Sequence, residues 1–218
     1  MTPAARGDWR LYVITADPAQ ARGRSHLEIA NAAIRGGATA VQLRMKDAPA
    51  RAIVETARAI ASQCREAGVA FIVNDRIDVA LASGADGVHV GQDDLSAAAA
   101  RALLGVGPLL GVSAATVEEA AAAAKAGADY LGVGAVYATA TKADAGAAVG
   151  LARIRQVAGS RALPVVGIGG ITIDNAAAVI HAGAAGVAVI TAVTMAEDMA
   201  EATRRLRQEV DGARDGKA

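Results

Sequence analysis

The sequence has few of the residues that mark several protein classes. Its one cysteine, Cys64, excludes a disulfide within the chain, and this composition suits a reducing cytoplasm, where we expect the protein to work. Aromatic residues make up only 2% of the chain, and 22 basic residues balance 22 acidic ones. A nucleic-acid-binding protein would show a basic patch and usually aromatic platforms, so we expect no nucleic-acid partner.

Long apolar runs are also lacking. No run reaches the roughly 18–20 residues that a membrane-spanning helix needs, so no membrane partner is expected. Residues 1–10 do not contain the apolar core of a signal peptide. The hydrophobic fraction of 53% comes mostly from alanine, valine and isoleucine, which is typical of small-residue helices packed on buried strands.

What the chain does contain is a repeated helix–glycine–strand pattern. Glycine lies between a helical stretch and an apolar strand at 36–41, 67–71, 83–88, 126–131 and 182–187. Glycine suits the end of a helix because it enters the left-handed region without a Cβ penalty. Repeated units of this kind predict a parallel sheet with crossover helices.

Eight such units can be counted. The predicted strands are Arg10–Ile14, Ala40–Leu43, Ala70–Val73, Gly87–Val90, Leu109–Val112, Tyr130–Val133, Val165–Ile168 and Gly186–Ile190. The predicted helices are Arg24–Arg35, Pro49–Glu66, Ile77–Ala82, Ser96–Leu104, Val117–Lys125, Leu151–Val157, Ile173–His181 and Ala196–Glu209. Eight βα units in about 200 residues indicate an α/β protein with a (β/α)8 TIM barrel.

We expect one domain over residues 1–218, with the barrel at about 10–210 and short flexible termini. The alternative is a doubly wound open sheet. Such a sheet should carry a phosphate-binding G-x-G-x-x-G after its first strand. Thr15-Ala16-Asp17-Pro18 does not match that pattern, which favours the barrel.

Polar residues follow nearly every predicted strand, at the end of the barrel where active sites lie. Gln42, Arg44 and Lys46 come after strand two, and strand alternation points them the same way. Asn74-Asp75 and Asp93-Asp94 follow strands three and four. Carboxylates brought together on one rim suit Mg²⁺, which takes one or two carboxylates plus substrate phosphate oxygens and water.

Hydroxyl, cationic and glycine residues follow strands five to eight: Ser113, Thr139, Thr141, Lys142, Gly169, Gly170 and Thr191, the last directly after Ile190 at the end of strand eight. Many barrels hold a monophosphate on backbone N–H groups in the loops after strands seven and eight. The sequence therefore predicts two phosphate sites. One is metal-assisted, beside strands two to four and six, and the other is built from backbone at strands seven and eight.

Each signal has a structural alternative. Arg44 and Lys46 could form a solvated loop face, and Gly169-Gly170 could be a tight turn only. Asp75 could cap the third helix, and Asp93 or Asp94 could cap the fourth.

The histidines carry little functional signal in the sequence. His89 lies inside a strand and is interpreted as a packed or hydrogen-bonded histidine, and His26 and His181 fall on predicted helices as surface residues. No histidine stands out at the rim.

In combination, these segments resemble the thiamine-phosphate synthase family over about residues 11–200. The matching motifs are Gln42-Leu43-Arg44-x-Lys46, Asn74-Asp75, Gly87-Val88-His89-Val90-Gly91-Gln92-x-Asp94, Gly111-Val112-Ser113, Thr139-x-Thr141-Lys142 and Gly167-Ile168-Gly169-Gly170-Ile171. Each motif alone is weak, and their order and strand positions together are specific.

The resemblance implies a transferase and its substrates. It would join 4-amino-2-methyl-5-hydroxymethylpyrimidine pyrophosphate to 4-methyl-5-(2-phosphoethyl)thiazole, or the carboxylated thiazole, giving thiamine phosphate and pyrophosphate with Mg²⁺ as cofactor. Family members commonly self-associate, which leaves a homo-oligomer open.

The resemblance also implies roles for residues. Arg44, Lys46, Ser113 and Lys142 would be catalytic, and Asp75 and Asp94 would hold the metal. The substrate-binding residues would be Gln42, Arg44, Lys46, Asn74, Ser113, Thr139, Thr141, Lys142, Gly170, Ile190 and Thr191. Three positions depart from the family pattern, where Met45, Ala138 and Thr191 replace a common glutamate, proline and serine.

Two other functions remain open. A thiazole tautomerase has the same barrel, would use a histidine in its site, and would not need the pyrophosphate-binding cations or both carboxylates. A non-catalytic phosphate-binding barrel would belong to a different class, although the joint presence of Arg44, Lys46, Asp75, Asp94 and Lys142 argues against it.

Overall fold

The computed structural model describes residues 7–139 and 148–216. Its strands are β1 Leu11–Ile14, β2 Ala40–Leu43, β3 Ala70–Asn74, β4 Gly87–Val90, β5 Leu109–Ser113, β6 Tyr130–Val133, β7 Val165–Ile168 and β8 Gly186–Val189. Its helices are α1 His26–Arg35, α2 Ala50–Ala67, α3 Ile77–Ser83, α4 Ala97–Leu104, α5 Val117–Lys125, α6 Gly150–Gly159, α7 Ala176–His181, α8 Thr191–Thr194 and α9 Met199–Asp215. A 3₁₀ turn spans Pro18–Gln20.

The strands form a closed parallel barrel in chain order. Each strand pairs with the next, and β1 closes the barrel by pairing with β8, with Val13 opposite Val189. The prediction of a (β/α)8 TIM barrel is confirmed. Every described helix is too short or too polar to cross a lipid bilayer.

Alternation along the strands divides the buried side chains into two layers. In β3, Phe71 and Val73 pack with the helices, whereas Ala70 and Ile72 face the barrel interior. Because both faces of each strand are buried, the strands appear in the sequence as short continuous apolar runs.

An aromatic floor, composed of Trp9, Tyr12 and Tyr130, fills the interior towards the amino ends of the strands. The rings of Trp9 and Tyr130 stack at 3.9 Å between centroids, and Tyr12 meets Tyr130 edge-on at 6.1 Å. All three are at most 2% exposed. These rings therefore fill the interior at the amino ends of the strands.

The glycine repeat has the predicted conformation. Gly37, Gly68, Gly84, Gly127 and Gly183 all have positive φ, between 69° and 110°. Each lies between a helix and the following strand, where a left-handed residue ends the helix. The repeat in the sequence therefore marks the αβ turns of the barrel.

Two helices, α1 and α9, begin two or three residues later than predicted because side chains cap them. Ser25 and Glu28 form a capping box, so α1 begins at His26 and not at Arg24. Asp198 accepts hydrogen bonds from the backbone of Ala200 and Glu201, so α9 begins at Met199 and not at Ala196. These side chains satisfy backbone N–H groups that have no partner inside the helix.

Residues 173–175 precede α7, which begins at Ala176 and not at Ile173. The Asn175 side chain accepts from the backbone N–H of Thr172 at 2.8 Å. Strand β8 ends at Val189, one residue earlier than predicted, and the short helix α8 that follows was not predicted. Four residues are too few to show helical periodicity in sequence.

We predict that Gly186→Ala destabilises the fold. A Cβ at this position in β8 would lie 1.7 Å from the Trp9 carbonyl oxygen, so the strand must shift at the seam of the barrel. Overpacking of this kind costs roughly 1–3 kcal/mol, which lowers Tm by several degrees in a thermal melt. Gly212→Ala is the matched control, because Gly212 lies on the exposed face of α9 with no atom within 4 Å of an added Cβ. It should leave Tm unchanged or raise it, and an equal Tm for both variants would contradict the prediction.

Candidate active site

A cavity of about 400 Å³ opens at the carboxyl ends of the strands. It is lined by every predicted site residue that the structure describes: Gln42, Arg44, Lys46, Asn74, Asp75, Asp94, Ser113, Thr139, Gly170, Ile190 and Thr191. Thr141 and Lys142 lie outside the described residues. Residues from strands β2 to β8 therefore meet around one space, as the barrel geometry requires.

One side of the cavity carries Asp75 in an unusual backbone conformation. Asp75 has φ of +61°, in the left-handed region that few residues other than glycine adopt. Its N–H donates to the carbonyl oxygen of His89 at 2.8 Å, and its carboxylate accepts from the Asn74 side chain at 2.5 Å. The capping alternative is wrong, because α3 has Arg76 as its N-cap and no side-chain cap bond.

Asp94 is also fixed by its neighbours. Its carboxylate accepts from the backbone N–H of Gly91 at 2.8 Å, which closes the loop after β4. Helix α4 is capped by Ser96, whose hydroxyl accepts from Ala99 N–H. Neither Asp93 nor Asp94 caps this helix, and both line the cavity.

The two carboxylates can serve Mg²⁺. The described residues contain no cluster of three or more His, Cys, Asp or Glu side chains that could hold a metal. Mg²⁺ does not need such a cage, because it binds one or two carboxylates and keeps water or substrate phosphate oxygens as its other ligands. The hydrogen bonds to Asn74 and Gly91 orient the carboxylates, as outer partners of metal ligands do. Asp75 and Asp94 are therefore the residues that could supply carboxylate ligands to this ion.

The cationic residues of the cavity come from the end of β2. Arg44 is half-buried and Lys46 is exposed. Among the described residues neither has a carboxylate within ion-pair distance. Two cations that form no ion pair with a described carboxylate suit an anionic ligand, and Arg can bind phosphate with two hydrogen bonds.

The backbone of Arg44 is held from below by two buried polar residues. Its N–H donates to the hydroxyl of Thr15 at 3.2 Å, and that hydroxyl also contacts Nδ1 of His26 at 2.8 Å. Nε2 of His26 lies 3.2 Å from Asp17. The prediction of a surface His26 is wrong, since it is 5% exposed and turns from the first residue of α1 towards the end of β1.

Glycines form the opposite side of the cavity. Gly169 and Gly170 have φ of +98° and +63°, and a Cβ at Gly170 would lie 2.7 Å from the Ala138 carbonyl oxygen. Asn175 donates to the Gly170 carbonyl at 3.0 Å and so holds the turn. This loop and α8 face the same space, in the position where many barrels bind a monophosphate.

The cavity also contains polar residues of the strands that were not predicted as site residues from the sequence, among them His89, Tyr12 and Tyr130. Nδ1 of His89 lies 3.1 Å from the Tyr130 hydroxyl and Nε2 lies 3.0 Å from Oγ of Ser113. The interpretation of His89 as hydrogen-bonded agrees with these contacts. However, alternation in β4 points His89 inward between Val88 and Val90, and this signal could have placed it in the cavity.

A closed parallel barrel with its charged residues gathered where the strands end is the architecture of the (β/α)8-barrel enzymes. Comparison with known proteins narrows this class. A family model described as thiamine monophosphate synthase matches residues 11–193. The thiamine-phosphate synthase of Moorella thermoacetica is 54% identical over 206 residues, which cover 94% of this chain and 98% of that protein. The corresponding protein of Chloroflexus aurantiacus is 54% identical over 200 residues, 92% of each chain.

A solved structure agrees with these relatives. The thiamine phosphate pyrophosphorylase from Pyrococcus furiosus superposes with a TM-score of 0.86 at 41% identity, over 95% of this chain and 98% of the other. The chain belongs to the thiamine-phosphate synthase family, and it is a transferase of thiamine biosynthesis.

We predict that His26 makes the stability of the fold depend on pH. Burial lowers the pKa of His26 below its ordinary 6.5, against the opposing effect of the Asp17 carboxylate. As the pH falls below about 6.5 the unfolded chain takes up this proton first, so the free energy of unfolding decreases until the folded protein is protonated too.

Thermal melts at pH 7.5 and 5.5 measure this effect. The wild-type protein should lose more Tm between the two pH values than His26→Gln does. His181→Gln is the matched control because His181 is exposed on α7, and it should lose as much as the wild type. The same pH dependence in His26→Gln and the wild type would argue against His26 as the source.

Proposed function

We propose that this protein condenses the hydroxymethylpyrimidine pyrophosphate with the thiazole phosphate to thiamine phosphate and pyrophosphate, or with the carboxylated thiazole phosphate to the same products and CO2. The single observation that carries the proposal is that one cavity contains the cations Arg44 and Lys46 together with the carboxylates Asp75 and Asp94. A pyrophosphate with a bound divalent cation requires both kinds of group.

The pyrophosphate would bind at the β2 side of the cavity. Arg44 and Lys46 would contact its oxygens with Gln42, and Asn74 would lie nearby. Ser113 and Lys142 would bind the oxygens that leave with the pyrophosphate. Cations aimed at a departing anion stabilise it more as its charge develops, which lowers the barrier for ionisation.

Asp75 and Asp94 would hold Mg²⁺ beside this anion. The ion would neutralise charge on the pyrophosphate and so make it a better leaving group. The thiazole phosphate would bind across the cavity, against Thr139, Thr141, Gly170, Ile190 and Thr191. Support for this second site comes from the positive-φ turn at Gly169 and Gly170, which leaves backbone close to the cavity.

The reaction itself needs no general base. The C–O bond of the pyrimidine methylene breaks, its electron pair leaves with the pyrophosphate, and the lone pair of the thiazole nitrogen forms the new C–N bond. The protein's part is to neutralise the departing charge, to align the two substrates and to keep water from the carbon. The cavity contains charged and polar groups suited to binding and orienting the substrates.

A thiazole tautomerase is the second candidate, and one observation favours it. His89 lines the cavity, so the lack of a rim histidine in the sequence analysis no longer argues against an isomerase. The cations at 44 and 46 and the carboxylates at 75 and 94 still favour the synthase, because tautomerisation of a monophosphate needs neither set. Self-association, a single-domain organisation and a cytoplasmic location remain predictions from the sequence.

Product formation tests the function. Purified protein is mixed with both substrates in the presence of Mg²⁺ or of EDTA, and thiamine phosphate and pyrophosphate are measured. We expect both products with Mg²⁺ and neither with EDTA. A folded protein that gives no product in either condition, and interconverts the thiazole carboxylate phosphate tautomers, would be the isomerase instead.

We predict that Asp75→Asn and Asp94→Asn each raise the Mg²⁺ concentration needed for half-maximal rate by at least about tenfold, because each removes a charged ligand. Asp78→Asn is the matched control. Asp78 lies in the first turn of α3, exposed and paired with Arg76, and exposed pairs contribute little. An unchanged Mg²⁺ requirement in Asp75→Asn and Asp94→Asn would remove these residues from the metal site.

We also predict that Lys142→Ala lowers kcat by roughly 10²–10³-fold, the loss expected for one preorganised electrostatic contact. Lys125→Ala on the exposed end of α5 controls for the loss of a positive charge. The rate is measured at saturating substrates and Mg²⁺. If Lys142→Ala turns over at the wild-type rate, Lys142 does not bind the leaving oxygens.

A further inference from the structure

A chain of hydrogen bonds crosses the barrel interior beneath the cavity and joins two predicted site residues. The Gln42 side-chain amide donates to the Tyr12 hydroxyl at 2.8 Å, and the hydroxyls of Tyr12 and Tyr130 lie 3.1 Å apart. The Tyr130 hydroxyl lies 3.1 Å from Nδ1 of His89, and Nε2 of His89 lies 3.0 Å from Oγ of Ser113. We call these five residues the interior chain.

The Gln42 amide donates to Tyr12, and this donor favours one direction of donation along the rest of the interior chain. Each tyrosine hydroxyl has one proton to donate. Because Tyr12 accepts from Gln42, its own proton is available for Tyr130, and the proton of Tyr130 is then available for Nδ1 of His89. Burial raises the pKa of both tyrosines, so both phenols stay protonated at neutral pH and the sequence of donors is complete.

Donation in this direction would determine which nitrogen of the His89 ring carries the proton. With Nδ1 as an acceptor, the neutral ring carries its proton on Nε2. Nε2 then donates to the Ser113 oxygen, which leaves the Ser113 hydroxyl proton for an acceptor outside the chain. Ser113 lines the cavity, so a ligand oxygen bound there can be that acceptor.

The opposite direction is chemically distinct. If the Gln42 amide presented its oxygen to Tyr12, every donor would reverse and the ring would carry its proton on Nδ1. Ser113 would then donate to His89 and could only accept from a ligand. The tautomer of His89 therefore reports whether Ser113 is a donor or an acceptor in the cavity.

The position of the His89 ring is prepared by glycines on two neighbouring strands. Gly111 is opposite His89 on β5, and an added Cβ there would lie 2.4 Å from Nδ1 of His89 and 2.2 Å from Cζ of Tyr130. A Cβ at Gly132 on β6 would lie 2.9 Å from Cε1 of His89. The ring fits because both strands lack a side chain at these points.

We propose that His89 is a positioning residue whose Nε2–H tautomer, set by the interior chain, orients Ser113 as a hydrogen-bond donor to an anionic oxygen in the cavity. This proposal rests on the proposed function, in which the oxygen belongs to the leaving pyrophosphate. The ionisation step needs no general base, so the proposal gives His89 a role in positioning Ser113 and not in proton transfer to or from the substrates.

The tautomer can be measured without any substrate. The protein contains three histidines, so ¹⁵N-histidine labelling and two-bond ¹H–¹⁵N correlation spectra resolve each ring, with His26→Gln and His181→Gln used for assignment. We expect a protonated Nε2 and an unprotonated Nδ1 for His89 at pH 7.5. A proton on Nδ1, alone or together with one on Nε2, would overturn the proposal.

The action through Ser113 is tested by binding of inorganic pyrophosphate with Mg²⁺, measured by calorimetry. Ser113→Ala should raise Kd by roughly 10–100-fold, the loss of one hydrogen bond to a charged group. His89→Asn should also raise Kd, because its shorter amide cannot reach Ser113, and His89→Gln should restore affinity by placing an amide N–H where Nε2 was.

A double-mutant cycle separates positioning from a general structural effect. If His89 acts through Ser113, Ser113→Ala with His89→Asn binds pyrophosphate as Ser113→Ala alone does, within about twofold. The proposal would be overturned if the double variant raised Kd by the product of the two single-variant increases. Where the His89 variants fail to fold, the tautomer of the wild-type protein still decides.

The failure of this proposal can be told from the failure of the proposed function. Neither the tautomer nor pyrophosphate binding depends on turnover, so a protein that forms no thiamine phosphate can still show both expected results. Conversely, an active synthase whose His89 carries its proton on Nδ1 would keep the proposed function and overturn the role of His89.

Discussion

A closed barrel of eight parallel strands encloses a limited volume, and the site depends on how the inward side chains share it. The aromatic floor uses the volume at the amino ends of the strands. Gly111 and Gly132 have no side chain, and the space that this leaves nearer the carboxyl ends is occupied by the His89 ring. The cavity is the remainder, and its depth is set by the tyrosine hydroxyls that form its base.

Side chains beneath the cavity also fix the charged groups at its rim. Thr15 and His26 hold the backbone of Arg44, whereas Asn74 holds the carboxylate of Asp75. The left-handed backbone at Asp75 costs of order 1–3 kcal/mol, a cost that surrounding structure must offset. Groups held in this way can meet a charged substrate without first reorganising, which is what electrostatic catalysis requires.

Much of the fold could be predicted because its signals are local. The glycine repeat and the two-residue period placed each strand within one residue at either end. Helix starts were less accurate, because they depend on which nearby side chain caps the backbone, as Ser25 and Asp198 do here. The α8 helix could not be found, since its four residues have no periodic pattern.

The charged and glycine-rich part of the site followed from one rule, that residues after parallel strands share a rim. The residues that support the site from beneath could not be predicted from this rule. The sequence predicts His26 as a surface residue of a helix, because the contact with Thr15 at the end of β1 that buries it is not visible in the sequence. His89 and Tyr130 lie within strands, and their contact depends on the register between β4, β5 and β6, which a single sequence does not contain.

The seam between β1 and β8 has a consequence for how the chain is made. Val13 pairs with Val189, so two residues far apart in synthesis must meet before the barrel closes. Until β8 has left the ribosome, β1 has an open edge and the apolar surface meant for the interior stays exposed. Such long-range pairing slows folding and exposes nascent chains to aggregation. Protection of the nascent amino-terminal strands until β8 is available therefore favours the yield of folded protein.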